Sequence, residues 1–104
     1  MKRVLALLAV LCGVAVLTGF STGSAATRGT VYIGMDAPLT GPQAIVGQGD
    51  REAILALANY WNARSGINGR RLVVDILDNA SNPSQGVQNV QRFVADSKYV
   101  AILG

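Results

Sequence analysis

The sequence contains no histidine and a single cysteine, Cys12. Without imidazole the chain lacks the commonest general base and a favoured metal ligand. Cys12 lies inside the uncharged run Val4 to Leu17 and follows Leu11, whereas a lipidated cysteine sits directly after its leader, behind small residues. It reads as an ordinary leader residue lost on cleavage, so the mature chain has neither disulfide nor thiol chemistry and is not a lipoprotein. Charge is scarce at 14% of residues, and beyond Lys2-Arg3 at the amino end Arg70-Arg71 is the only adjacent basic pair. That excludes the clustered basic face with interleaved aromatics that nucleic-acid binding needs. The apolar run at the amino end is too short for a comfortable membrane span of about 20 residues.

What is present begins with Lys2 and Arg3, then Val4 to Leu17, then Thr18 to Ala26 rich in Gly, Ser and Ala. Those are the three parts of a signal peptide in order, so residues 1–26 are expected to form a leader helix cleaved after Ala26 or Ala25 and the protein to be exported. Cleavage takes two of the nine basic residues and leaves seven against six acidic, a net +1 in place of +3. About 78 residues remain, enough for one small core that buries roughly 60% of its unfolded surface.

Along the mature chain, Thr30 to Met35 alternates Val31, Ile33 and Met35 against Tyr32 and stops at a Pro/Gly loop, which predicts a strand. From about Gly47, residues Ile54, Leu57, Ala58 and Trp61 recur at offsets 0, 3, 4 and 7, a helical stripe with Asp50 and Glu52 in its first turn and Arg64 near its last. Gly66 is placed to end that helix in a left-handed conformation. Asn68-Gly69 turns the chain into Arg71 to Asp78, apolar enough for a strand covered on both faces. Asn82-Pro83-Ser84-Gln85 gives a cap, a first-turn proline and a capping-box partner. Val87, Val90 and Val94, flanked by Phe93, supply the expected buried face of that second helix, and Tyr99 to Gly104 reads as a third strand.

Strand, helix, strand, helix, strand implies a parallel sheet with right-handed crossovers, in order 2-1-3, with helices on both faces. The order reverses between strands one and three, where open α/β sheets bind ligands beyond the carboxyl ends of the strands. Asp36 to Val46 would line one side of that crevice.

Chemistry finds little support. Gly47-Gln48-Gly49 lacks the third glycine, Glu52 occupying its place, and does not directly follow the strand, so it is no phosphate-cradling loop. No nucleophile elbow is present. Asp36, Asp75, Asp78 and Asp96 form no convincing acid/base pair. Asp36 and Asp78 end the first two strands, where an aspartate serves either a ligand or its own turn. Trp61 falls on the apolar stripe and is expected in the core.

The residues resemble the start of a type I periplasmic solute-binding protein of the branched-chain amino acid (leucine-binding-like) branch. The likeness rests on Ile33-Gly34 followed by Pro38-Leu39-Thr40-Gly41-Pro42 and Gly47, on Asn62 to Arg70, on Asp78 with Pro83 five residues on, and on Val100 to Gly104. It implies a two-lobed protein, not an enzyme and without cofactor or metal, that closes on a small solute by hinge bending. It further implies delivery to an ABC permease in the inner membrane from the periplasm. Residues 27–104 would then be the N-terminal part of lobe one, a partial sequence not competent alone. The ligand contacts implied are Thr40, Gln43, Ala44, Ile45 and Val46, in the loop before the first helix; for Thr40, capping the segment after Gly41 is an equally good account. Some amino-acid-binding members carry an aromatic residue matching Val46. Aliphatic Ile45 and Val46 depart from that pattern, which opens aromatic acids, amides, urea and other small polar solutes as cargo beside the amino acids of the family. Ser81 stands where certain relatives have a disulfide cysteine, so that bridge cannot form. A ligand-sensing domain of a receptor or regulator shares this lobe and is the alternative, ahead of a small exported enzyme.

Overall fold

The computed structural model describes residues 29–104; the expected leader and its helix lie outside them. The apolar runs form three strands, β1 (Thr30–Ala37), β2 (Arg71–Asp78) and β3 (Tyr99–Leu103). All pair in parallel, in the order β2-β1-β3, as the alternation of elements requires. Helix α1 (Ala44–Asn62) connects β1 to β2, and α2 (Pro83–Ala95) connects β2 to β3. Because the chain first steps to one side of β1 and then back across it, right-handed crossovers place the helices on opposite faces. The ring of Phe93 from α2 lies against Gly34, while the next residue, Met35, shares a groove with Ile54 and Leu57 of α1.

The core is small: Met35, Ala37, Ala58, Leu72 and Phe93 are its buried apolar residues. Phe93 also meets Tyr99 edge to face at 4.8 Å between centroids, a geometry favoured by the ring quadrupoles. β3 carries a bulge: Tyr32 pairs with Tyr99 but Ile33 with Ala101, leaving Val100 unpaired and 64% exposed. Among the described residues β2 has no strand beyond it, and the side-chain amide of Asn62 takes a neighbour's place by both donating to and accepting from the Leu72 backbone at 2.8 Å.

Several boundaries and faces differ from the expectations. α1 starts at Ala44, three residues before Gly47, because the Gly41–Ala44 turn already bonds Ala44 N–H to the Gly41 carbonyl. Asp50 and Glu52 therefore fall outside its first turn, and Arg64 lies past its last residue, where it still donates to the Tyr60 carbonyl and covers the Tyr60 ring at 3.6 Å. Ala58 is buried as expected, but Leu57 and Trp61 are 49% and 41% exposed. Gly66 adopts φ +70, but it does not end the helix: α1 stops at Asn62, and Ser65, at φ +72, is the first left-handed residue after it. Asn68 and Gly69, both at positive φ, make a two-residue hairpin turn between Ile67 and Arg70.

In α2, Asn82 caps and Pro83 starts the helix as expected. Gln85 does not complete a capping box; it reaches forward to Asn89 at 3.0 Å. The inward stripe is half-buried Gly86 with buried Asn89 and Phe93, one residue earlier than Val87, Val90 and Val94, which is a rotation of about 100°. The cause is Asn89, only 1% exposed: hydrogen bonds to Asp36 and to the Asp78 carbonyl draw it inward and turn Val87 and Val94 to the surface at 58% and 69% exposure.

Candidate functional site

At the carboxyl ends of β1 and β2 the two connecting loops close on each other. Asp78, the last residue of β2, accepts hydrogen bonds from Leu39 N–H at 2.9 Å, Thr40 N–H at 3.2 Å, the Thr40 hydroxyl at 2.6 Å and Ala80 N–H at 2.7 Å. The Thr40 hydroxyl, then the Ala80 amide, hold the Asp78 carboxyl below the usual carboxylate range, because each bond favours the ionised form. Beside it the Ser81 hydroxyl donates to the Thr40 carbonyl and accepts from Gln43 N–H, both at 3.1 Å.

The fit between the loops is tight. Gly41 has φ +85, and a Cβ there would stand 2.7 Å from the Ala80 carbonyl oxygen and 2.9 Å from the Ser81 hydroxyl. Gly47 is buried with the Pro38 carbonyl packed where its Cβ would be, so the first turns of α1 press directly on the strand exit. Gln48 adds a bond from its amide to the Leu39 carbonyl at 3.1 Å.

Under the loops lies a second layer. Asp36 accepts from the amides of Asn79 and Asn89, each at 2.8 Å, and Asn89 also donates to the Asp78 carbonyl at 3.0 Å. Among the described residues no buried side-chain nitrogen or oxygen lacks a partner. An open cavity of about 350 Å³ sits above this layer, with Asp36, Pro38, Gln43, Asn79, Ser81 and Gly86 among its lining residues. It opens between the β1 and β2 exits; on the other side of β1, Gly104 at the end of β3 approaches Asp36 closely.

Of the five residues expected at a ligand, Gln43 lines this cavity. Ala44, Ile45 and Val46 belong to the first turn of α1 rather than to the preceding loop. Ile45 is 87% and Val46 59% exposed. Thr40 is exposed, but its hydroxyl proton is committed to Asp78, so its oxygen has only acceptor capacity left for a solute. Asp36, Asp75, Asp78 and Asp96 separate into two groups. Asn89 links Asp36 to the Asp78 backbone. Elsewhere Lys98 stands between Asp75 and Asp96, at 3.6 and 3.8 Å, and Tyr99 donates to Asp75 at 2.7 Å. Burial, followed by the Asp75 bond, raises the Tyr99 phenol above its ordinary value. Asn89 carried no sequence signal as a buried group, since a polar residue between valines reads as a solvated face; Ser81 was visible only as a missing cysteine.

A family profile described as periplasmic binding protein matches residues 30–104. The chain belongs to the periplasmic binding protein family. It is 32% identical over 85 residues to the Leu/Ile/Val-binding protein homolog 2 of Brucella abortus, a match covering 82% of this chain and 23% of that one. Among solved structures it is similar to the branched-chain amino acid transporter substrate-binding protein LivJ of Streptococcus pneumoniae in complex with isoleucine. The TM-score is 0.69 and the identity 27%, over 72% of this chain and 22% of LivJ. It is also similar to a fatty acid ABC transporter substrate-binding protein of Thermomonospora curvata, with TM-score 0.67 and 25% identity over 73% and 19% of the two chains. This periplasmic binding protein segment thus spans about a fifth of the length of the relatives it matches. Its parallel sheet in order 2-1-3 is the arrangement that the alternation of strands and helices implied.

Proposed function

We propose that residues 27–104 are the N-terminal part of the first lobe of an exported solute-binding protein, which captures a small solute between two lobes and hands it to an ABC permease of the inner membrane. The carrying observation is the pair Ile45 and Val46: aliphatic, 87% and 59% exposed, on the first turn of a helix whose start is fixed at the carboxyl ends of the strands. Large apolar groups held bare at that place fit a surface that a bound molecule covers. The relatives that bear names of branched-chain amino acid and fatty acid binders support an aliphatic part in the cargo. Thr40, Gln43 and Ala44 complete the proposed contact set, with Gln43 supplying polar groups toward an amino acid, an amide or an aromatic acid. The reading assigns no bond-making chemistry, cofactor or metal to the chain, and places residues 1–26 as the export signal.

Isothermal titration of a two-lobed chain carrying residues 30–104 against L-isoleucine, L-phenylalanine, benzoate, acetamide, urea and hexanoate tests it. A one-site curve of micromolar affinity for one of them is expected, weakened about tenfold by Val46→Ala. Residues 27–104 made alone are expected to bind none saturably and to melt without a cooperative transition, since β2 and β3 leave edges that favour association. A saturable curve from those residues alone would overturn the two-lobed reading.

A further inference from the structure

Resting on that solute-binding reading, we propose that Asp78 and Ser81 are positioning residues: through them the β2–α2 loop sets the conformation of the β1–α1 loop, and so the direction in which Ile45 and Val46 face a solute. Three of the four bonds to the Asp78 carboxylate come from Leu39 and Thr40, 38 to 39 positions away in sequence. A single side chain therefore fixes two successive backbone amides and a hydroxyl on the other loop. Ser81 fixes the next stretch by bonding the Thr40 carbonyl and the Gln43 amide together.

Gln43 is the residue that leads into α1, and its side chain makes no capping bond. The hydrogen bond from its amide to Ser81 is thus an anchor that the helix start takes from the other loop, two and three residues before Ile45 and Val46. The β2–α2 loop is itself wound for the task. Ala80 and Ser81 have φ +53 and +57, left-handed values that non-glycine residues hold only when their surroundings over-determine them. The Asn79 side chain secures that turn by accepting from Ser81 N–H at 3.0 Å while donating to Asp36.

The test compares the two-lobed parent with Asp78→Asn, Ser81→Ala, Thr40→Val and Thr40→Ser. Asparagine keeps the shape of aspartate but gives up one acceptor oxygen, valine removes the Thr40 hydroxyl at equal size, and serine restores it. Amide hydrogen exchange at Leu39, Thr40 and Gln43 is the first readout: acceleration of about tenfold or more is expected in all but Thr40→Ser. Titration with L-isoleucine, or with whichever of the six solutes the parent binds, is the second. Asp78→Asn and Ser81→Ala are each expected to weaken binding about fivefold, and to weaken it no further once Val46 is alanine, because a side chain that is gone need not be aimed. Unchanged exchange would overturn the proposal. So would affinity losses that simply add to that of Val46→Ala, since a purely structural tie lowers stability without coupling to Val46. Should the parent bind none of the six, the solute-binding reading fails separately, and exchange alone decides whether the loops are tied.

Discussion

The strand exits and the outer helix faces of this molecule are finished to different degrees. At the exits, Asp36, Asp78, Asn79, Ser81 and Asn89 satisfy one another and the neighbouring backbone. On the flanks, Leu57, Tyr60 and Trp61 of α1, and Val87 and Val94 of α2, stand between 41% and 69% exposed. The difference teaches where these residues are self-sufficient. Hydrogen bonds close over short distances between two loops, so the crevice wall is built locally. Apolar faces need area from another layer, and this sheet of three strands offers each helix only a narrow platform.

The sharpest way to break the finished end is through Asn89. Asn89→Leu keeps the volume but strips Asp36 of one donor and leaves the Asp78 carbonyl unpartnered, both in a half-buried setting. A loss of about 3 kcal/mol in denaturant unfolding is expected, with loosening of α2 against β1 visible in hydrogen exchange. A loss below 1 kcal/mol would mean that the polar layer contributes little to holding α2.

Next in size is Gly41→Ala. The substitution places a Cβ at φ +85, against the Ala80 carbonyl, so both backbone strain and a clash oppose it. About 1 to 2 kcal/mol of destabilisation is expected, together with faster exchange at Gln43, since the loops must part to admit the methyl group.

Acid separates the same loops without mutation. The Asp78 carboxyl is held below its ordinary value by the Thr40 hydroxyl first and the Ala80 amide second. A folded value depressed in this way gives a contribution that is complete above the unfolded value of about 3.9 and is lost as pH falls through the folded value. After correction for intrinsic rates, protection of the Leu39 and Thr40 amides should stay level from pH 7 to about 4 and decline below it. In Asp78→Asn it should be low and flat throughout.

How much of this was legible beforehand follows the same division. Element order, parallel pairing and the 2-1-3 arrangement came from local signals that act within a few residues: the alternation in β1, the Asn68-Gly69 turn, the Asn82-Pro83 cap. The helix faces did not. In α2 the valines form a correct helical stripe, yet Asn89 wins the interior because two partners, 11 and 53 residues away, are waiting for its amide. The start of α1 was placed late because Ile45 and Val46 look like the end of a loop; what begins the helix is the turn at Gly41, held from the β2–α2 side. Ser81 illustrates the limit best, since a hydroxyl that ties two loops has no sequence pattern of its own.

The smallest effect belongs to the flanks. Val94 is 69% exposed on the outer face of α2, so Val94→Ser removes little contact and trades one poor helix former for another. Stability should change by no more than about 0.5 kcal/mol, a shift of the thermal midpoint near the limit of measurement. Val94 covered by a further element would instead lose roughly 1.5 kcal/mol or more, the worth of burying a valine side chain. The same substitution thus separates a flank that faces water from one covered by a further element.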